Sequence, residues 1–269
     1  MEMESVEVQF DGGGRVEVKF LDQGTGRTFL LLHGGGGPQT VAPFAERFSS
    51  VRRARAITPT HPGFAGTPRP DLLTTVRGLA ELYTRLLDEL DLSGVTVVGN
   101  SIGGWIAAEM ALVEPSRAAA FVIVDGVGIE VPGHPIADFF ALTPRQVAEL
   151  SYHDPDRYGF DPSKLAPEAL KVLAGNRATL ATYAGTAMSD PTLAGRLAEV
   201  KKPTLVLWGD SDRIAGVGYG KALAHAIAGA EFQVLANTGH LPQIESPEQL
   251  VEAIWGFAER ADATGQNVS

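Results

Sequence analysis

The run Gly99-Asn100-Ser101-Ile102-Gly103 constrains this chain more than any other feature. It follows the β-prone stretch Val95-Thr96-Val97-Val98 and precedes a helix-like stretch through Ala107 and Met110. G-x-S-x-G between a strand and a helix describes a sharp turn that strains the serine backbone and projects its hydroxyl from the carboxyl edge of a sheet. Glycines on both flanks remove β-carbons that would collide there. Ser101 is therefore the candidate nucleophile. The Ile102 N–H, at the start of the helix, is a candidate oxyanion donor. A glycine-rich turn without chemistry would explain the motif taken alone; its placement between strand and helix favours function.

The surrounding pattern supplies the frame such a turn needs. Residues 6–10 and 16–20 alternate apolar and polar side chains about the turn signal Asp11-Gly12-Gly13-Gly14, which predicts an antiparallel hairpin. Residues 28–32 are continuously apolar, as a strand covered on both faces requires. Further strands are expected at 55–58, 120–124, 204–208 and 231–235. Val76, Leu79, Ala80, Tyr83, Leu86, Leu87 and Leu90 follow the helical period. Other helices are expected at 221–228 and from Leu250. This alternation predicts an α/β fold with a mostly parallel, doubly wound sheet.

From 127 to 200 the strand pattern stops. Helix-like stretches at 144–150, 167–176, 177–187 and 191–200 are punctuated by Asp154-Pro155, Asp161-Pro162 and Asp190-Pro191. The segment is too long for a connecting loop. It reads as a helical cap, or lid, inserted into a core formed by 1–126 and 201–262. Residues 263–269, small and polar, are expected to be a disordered tail.

A nucleophilic serine needs a base and the base an orienting carboxylate. Among the six histidines, His240 lies in a loop just after the last strand, on the edge where Ser101 is expected. His225 falls in a helix, and His134 and His153 fall in the lid. Asp212 follows the strand ending at Trp208 and is the first choice for the carboxylate. Asp210 beside it and Asp125 at the end of an earlier strand are competitors, and turn chemistry next to glycine explains either without function. The loop His33-Gly34-Gly35-Gly36-Gly37-Pro38 can offer a second oxyanion donor, Gly35 first and Gly36 second. It carries neither the lysine of a phosphate-binding loop nor a dinucleotide fingerprint.

Composition removes other classes. The 269 residues include no cysteine, which excludes disulfides, thiolate metal sites and a cysteine nucleophile. The net charge of −10 argues against nucleic acid or an anionic membrane as the main partner. No secretory pattern opens the chain and no apolar run is long enough to span a bilayer, so a cytoplasmic protein is expected. The expected partner is a small-molecule substrate. No metal or organic cofactor is implied, and monomer and homodimer both stay open.

Together these residues resemble the α/β-hydrolase superfamily. His33-Gly34, the elbow at Ser101, Trp208-Gly209-x-x-Asp212, and Gly239-His240-x-Pro242 with Glu245-x-Pro247-Glu248 occur in the family's order. Pro62-Gly63-Phe64-Ala65-Gly66-Thr67 looks like a further family segment with Ala65 inserted. The resemblance implies an α/β-hydrolase fold with a cap, and a role for His33 in supporting the oxyanion loop. The glycine loop and Gly-Asn-Ser-Ile-Gly-Gly are similar to carbon–carbon bond hydrolases of meta-cleavage pathways and to esterase-like members. The former commonly carry a bulky aromatic after the histidine, where this chain has Leu241. Serine at 101 sets the chain apart from the aspartate-nucleophile branches. The expectation is a serine hydrolase of an ester or related carbonyl compound, with carbon–carbon cleavage included. A lyase, a cofactor-free oxygenase or a ligand-binding protein on the same fold are the alternatives. Trp105, Phe139, Phe140 and Leu241 are candidate substrate-lining residues, with ordinary packing as the competing explanation.

Overall fold

The computed structural model describes residues 3–10, 14–113, 115–159 and 161–265. Strands β1 (Glu4–Gln9) and β2 (Arg15–Gly24) pair antiparallel, from Glu4 opposite Phe20 to Gln9 opposite Arg15. Their inward residues Val8, Val16, Val18 and Phe20 are buried, as the alternation requires. Of the expected turn Asp11–Gly14, residues 11–13 lie outside the described residues. β3 (Arg27–Leu32) follows, then α1 (Ala42–Val51) and β4 (Ala54–Pro59). Helix α1 was not expected from the sequence. Its signal is nevertheless present: Val41, Phe44, Ala45 and Phe48 are buried at helical spacing.

The chain continues through α2 (Val76–Glu89), β5 (Val95–Asn100), α3 (Ile102–Val113) and β6 (Ala118–Val124). After the segment that interrupts the alternation come β7 (Thr204–Gly209), a helix at Val217–Ala226 and β8 (Glu231–Leu235). The eight strands lie in the order β1-β2-β4-β3-β5-β6-β7-β8. β2 pairs antiparallel with β4, and every pairing from β4 to β8 is parallel. The carboxyl ends of the parallel strands therefore share one edge, which is where an open sheet binds ligands. One core layer holds Leu79, Tyr83, Ile106 and Met110. The other holds Phe44, Phe48, Ile254 and Phe257.

Between β6 and β7 the backbone is helical where it is regular. α4 (Pro144–Ser151) starts in a capping box in which Thr143 and Gln146 bond each other's backbone. α5 (Pro155–Tyr158) is one turn. α6 (Pro167–Ala184) is a single helix, which corrects the expectation of separate helices at 167–176 and 177–187. Gly175-Asn176 reads locally as a break. The buried stripe Asn176, Thr179, Leu180 and Tyr183 overrides that reading by packing across it. The helix ends at Gly185, whose φ is +66°. α7 (Leu193–Arg196) with a 3₁₀ turn at Leu197–Glu199 is shorter than the expected helix at 191–200.

The helix at Val217–Ala226 is α8; α9 (Pro242–Glu245) and α10 (Pro247–Gly265) close the chain. α10 carries the helix into the tail expected from 263, and residues 266–269 lie outside the described residues. Among the described residues no helix is long and apolar enough to cross a membrane.

One ion pair joins α3 to α7. Glu109, only 3% exposed, accepts both Arg196 guanidinium arms at 2.7 Å, and Arg196 also reaches Asp190 at 2.9 Å. A buried carboxylate that loses its partner retains its desolvation cost. Arg196→Ala is expected to lower stability by about 2–3 kcal/mol, discounted from a fully buried pair because the guanidinium stays partly exposed. Glu109→Gln combined with Arg196→Met is expected to recover most of that loss. Urea unfolding of the variants checks this; a single variant as stable as the parent would contradict it.

Candidate active site

Ser101 adopts φ +57°, a left-handed conformation that costs a side-chain-bearing residue roughly 1–2 kcal/mol. Its N–H donates to Val124 O at 3.0 Å, and its carbonyl accepts from Trp105 N at 3.2 Å. The turn closes because the flanks lack β-carbons. A Cβ on Gly99 would lie 2.0 Å from Gly103 O, and one on Gly103 would lie 2.3 Å from Leu32 O. Ile102 is the first residue of α3, so its N–H has no acceptor within the helix and sits at the positive end of the dipole.

His240 and Asp212 meet. His240 Nδ1–H donates to Asp212 Oδ2 at 2.8 Å, and both residues are buried. Asp212 Oδ1 accepts the Ile214 and Ala215 amides at 2.8 and 3.2 Å. The imidazole is thereby fixed in the tautomer that leaves Nε2 free as an acceptor. Backbone contacts hold the loop: His240 N–H donates to Ser151 O at 2.6 Å, and His240 O accepts Asn100 Nδ2 at 2.9 Å. Gln243 Nε2 donates to Asn100 Oδ1 at 3.0 Å. Sequence reasoning missed Asn100 and Gln243 as supports, since nothing local marks a contact across 140 residues.

The competing carboxylates sit otherwise. Asp210 accepts the Ser211 hydroxyl at 2.7 Å and the Asn237 and Thr238 amides at 3.0 and 3.2 Å. Partial burial opposes its ionisation, yet these donors hold the carboxyl below its ordinary range. It shapes the turn and does not touch His240. Asp125 is fully buried and accepts the Gly209 amide at 2.8 Å. Burial first, and then the neighbouring Asp212 charge, push its carboxyl well above the ordinary range. Polar atoms of Asp125, Asp212 and His240 lie within 4.8 Å of one another, a spacing that can hold a cation. Asp212 already receives three hydrogen bonds, so the chemistry of this donor set is that of holding and orienting protons.

Behind the glycine loop lies a buried pair. His33 Nε2 accepts the His61 amide at 3.1 Å, so Nδ1 carries the proton and donates to Gly34 O at 2.7 Å. His61 Nε2–H donates to His33 O at 2.9 Å, and its Nδ1 accepts the Tyr83 hydroxyl at 2.5 Å. The rings lie 3.7 Å apart. Burial depresses both imidazoles, to about 4 for His61, and His61 further lowers His33. Both are neutral at pH 7.

A cavity of about 840 Å³ opens over the edge of the sheet. Ser101, His240, Gly35, Gly36, Phe139 and Leu241 all border it. Trp105 is not among the residues that border it. Its indole lies against Gly128, where a Cβ would be 2.6 Å from the ring, and packs into the buried core. Phe140 is also outside the lining; it packs on Phe139 with ring centroids 5.4 Å apart, and the Arg177 guanidinium covers both rings. Arg177, which the sequence did not single out, borders the cavity, with Nη2 donating to Phe139 O at 3.0 Å.

This geometry has relatives. The sequence profile described as "Alpha/beta hydrolase family" matches residues 29–253. A 2-hydroxymuconate semialdehyde hydrolase of Pseudomonas putida is 29% identical, covering 90% of each chain. A 2-hydroxy-6-oxononadienedioate/2-hydroxy-6-oxononatrienedioate hydrolase of Paraburkholderia phymatum is 28% identical, covering 92% of each. A thermophilic esterase from Thermogutta terrifontis shares the fold, with TM-score 0.75, 23% identity, and 97% and 99% of the two chains covered. A meta-cleavage product hydrolase from Pseudomonas fluorescens IP01 does so with TM-score 0.71, 19% identity, and 95% and 98% covered.

The neutral histidine pair has a pH consequence. The unfolded chain protonates its histidines below about pH 6.5, while the folded chain resists. The stability they contribute is therefore full above about pH 6.5 and is lost as pH falls toward 4. Asp125 acts with the opposite sign, since its raised value loses stability as pH rises. A His61→Asn comparison isolates the histidine part. The stability difference between parent and variant should shrink by about 1–2 kcal/mol between pH 6.5 and 5. Chemical denaturation at several pH values measures it; a difference independent of pH would show that His61 titrates normally.

Proposed function

Because this chain belongs to the α/β-hydrolase family, we propose that it hydrolyses a bond beside a carbonyl in a small, largely apolar molecule, using Ser101 as nucleophile, His240 as base and Asp212 as the acid that orients the base. The observation that carries this reading is the 2.8 Å His240–Asp212 hydrogen bond, with His240 and Ser101 bordering one cavity. Ser101 Oγ attacks the carbonyl carbon while His240 Nε2 takes its proton, and Asp212 stabilises the imidazolium. The Ile102 and Gly35 amides receive the oxyanion. The leaving group departs with the proton from His240, and water, activated by the same imidazole, releases the acyl group from Ser101.

The sequence relatives favour a carbon–carbon bond next to a ketone as the one broken. Both are named for hydrolysing such oxo-acids or semialdehydes, and both align over nine-tenths of their length. In that case the leaving group is a conjugated carbanion that collects its proton from His240. Arg177 is the one lysine or arginine among the described residues bordering the cavity, and supplies a counter-charge for an acidic end of the substrate. Residues 127–200 form the lid in this reading. Their side chains Phe139, Leu173 and Leu180 set which apolar group is accepted.

The test supplies 2-hydroxymuconate semialdehyde, followed by loss of its visible absorbance, alongside p-nitrophenyl acetate and butyrate and a fluorophosphonate probe. The expected result is turnover of the oxo-acid in preference to the esters, with the probe attached to Ser101. Ser101→Ala should abolish both, and Asp212→Asn should lower kcat by about 10⁴-fold. No labelling and no turnover would sink the hydrolase reading; full activity in Ser101→Ala would sink the residue assignment.

A further inference from the structure

Helix α6 presents one stripe, Asn176, Thr179, Leu180 and Tyr183, to the loops that follow β3 and β4. Asn176 is 1% exposed. Its amide bridges the loops: Nδ2 donates to Gly36 O at 3.1 Å, and Oδ1 accepts the Ala65 N–H at 2.8 Å. Ala65 holds a left-handed φ of +51°, so its amide is presented by a strained turn. One helical turn on, Thr179 Oγ1 donates to Gly63 O at 3.0 Å, and Tyr183 donates to Pro62 O at 2.9 Å. Leu180 packs where a Cβ on Gly35 would stand, 2.8 Å from its Cδ2. Gln39 Nε2 is a second donor to Gly36 O, but it is exposed.

We propose that Asn176 is a positioning residue that locks the glycine loop, and with it the Gly35 amide, to the lid helix, so that the oxyanion site is complete only while α6 is docked. The proposal rests on the serine-hydrolase reading for its catalytic consequence. The clamp itself stands on the hydrogen bonds. A glycine-rich loop has many accessible conformations, and a buried side chain that bonds its carbonyl removes most of them. The gain appears where negative charge develops on the substrate oxygen, not where the ground state binds.

The test compares three variants in the full chain. Asn176→Ala removes both bonds. Asn176→Asp keeps the shape and the acceptor for Ala65 but loses the donor to Gly36. Thr179→Val breaks a neighbouring bond of the same stripe that reaches only the other loop. Both Asn176 variants should lower kcat roughly tenfold to a hundredfold with KM within about twofold, less than outright loss of a donor. Affinity for an alkyl boronic acid, which mimics the tetrahedral state, should fall in parallel. Thr179→Val should change kcat by less than about threefold at a similar loss in Tm. Amide hydrogen exchange should quicken at 34–37 in both Asn176 variants, and only at 61–67 in Thr179→Val.

Equal losses of kcat in all three variants would reduce Asn176 to a fold support and overturn the proposal. A raised KM with kcat unchanged would make it a substrate-binding side chain, and overturn it too. Unaltered exchange at 34–37 would remove the clamp even if the protein turned over none of the substrates tried. Absence of turnover in the parent, with the exchange pattern as expected, would instead count against the hydrolase reading.

Discussion

The structure is organised around one strained residue. Ser101 holds a backbone conformation that a residue with a side chain avoids, and it does so between a strand and a helix that leave no room for relaxation. The strain persists because α3 lies so close to β5 and β3 that even one methyl group at Gly99 or Gly103 would collide with backbone. That closeness is a consequence of the parallel sheet. β5 is flanked by β3 and β6, all of its residues are buried, and its carboxyl end has nowhere to go but into the helix above. The placement of Ser101 at the cavity border, the Ile102 amide at the helix start and the direction of the helix dipole all follow from one turn.

The remaining parts of the site are placed by the same edge. β6 leads into Asp125, β7 into Asp212, and β8 into His240, so three ionisable groups far apart in sequence gather within 4.8 Å of one another. Their environments separate their roles. Asp212 is given three donors, two backbone amides and the His240 ring. Asp125 is buried with one amide donor, and burial and the neighbouring Asp212 push its carboxyl well above the ordinary range. A neutral pair of histidines with tilted rings holds the glycine loop through His33 and Gly34 O. Helix α6 reaches the same loop through Asn176, which bonds Gly36 O, and Leu180, which packs against Gly35.

Much of the frame was legible because it is written in local patterns. The strand-turn-helix at Ser101 shows a β-branched run, then glycines on both sides of the serine, then a helix-prone stretch, and that order needs no tertiary information. The strand ending before Asp212 is a continuous apolar run, all of it buried, as a doubly covered sheet requires, whereas the edge strand before His240 mixes polar and apolar residues and is mostly exposed. What was not legible depends on partners far along the chain. Asp210 and Asp212 are two residues apart and equally acidic; they differ because the amides of Asn237 and Thr238 claim one and His240 meets the other. Gly175-Asn176 reads as a helix break until Gly36 and Ala65 supply partners for the asparagine. Trp105 lies four residues beyond the nucleophile, but which way its indole turns was decided by the bare backbone of Gly128.

The most direct measurement is a crystal structure of the protein after reaction with a methyl fluorophosphonate. The account requires phosphorus bonded to Ser101 Oγ, the phosphonyl oxygen within hydrogen-bonding distance of both the Gly35 and Ile102 amides, and His240 Nε2 facing the ester oxygen. An adduct on another residue, or a phosphonyl oxygen turned away from those amides, would contradict it.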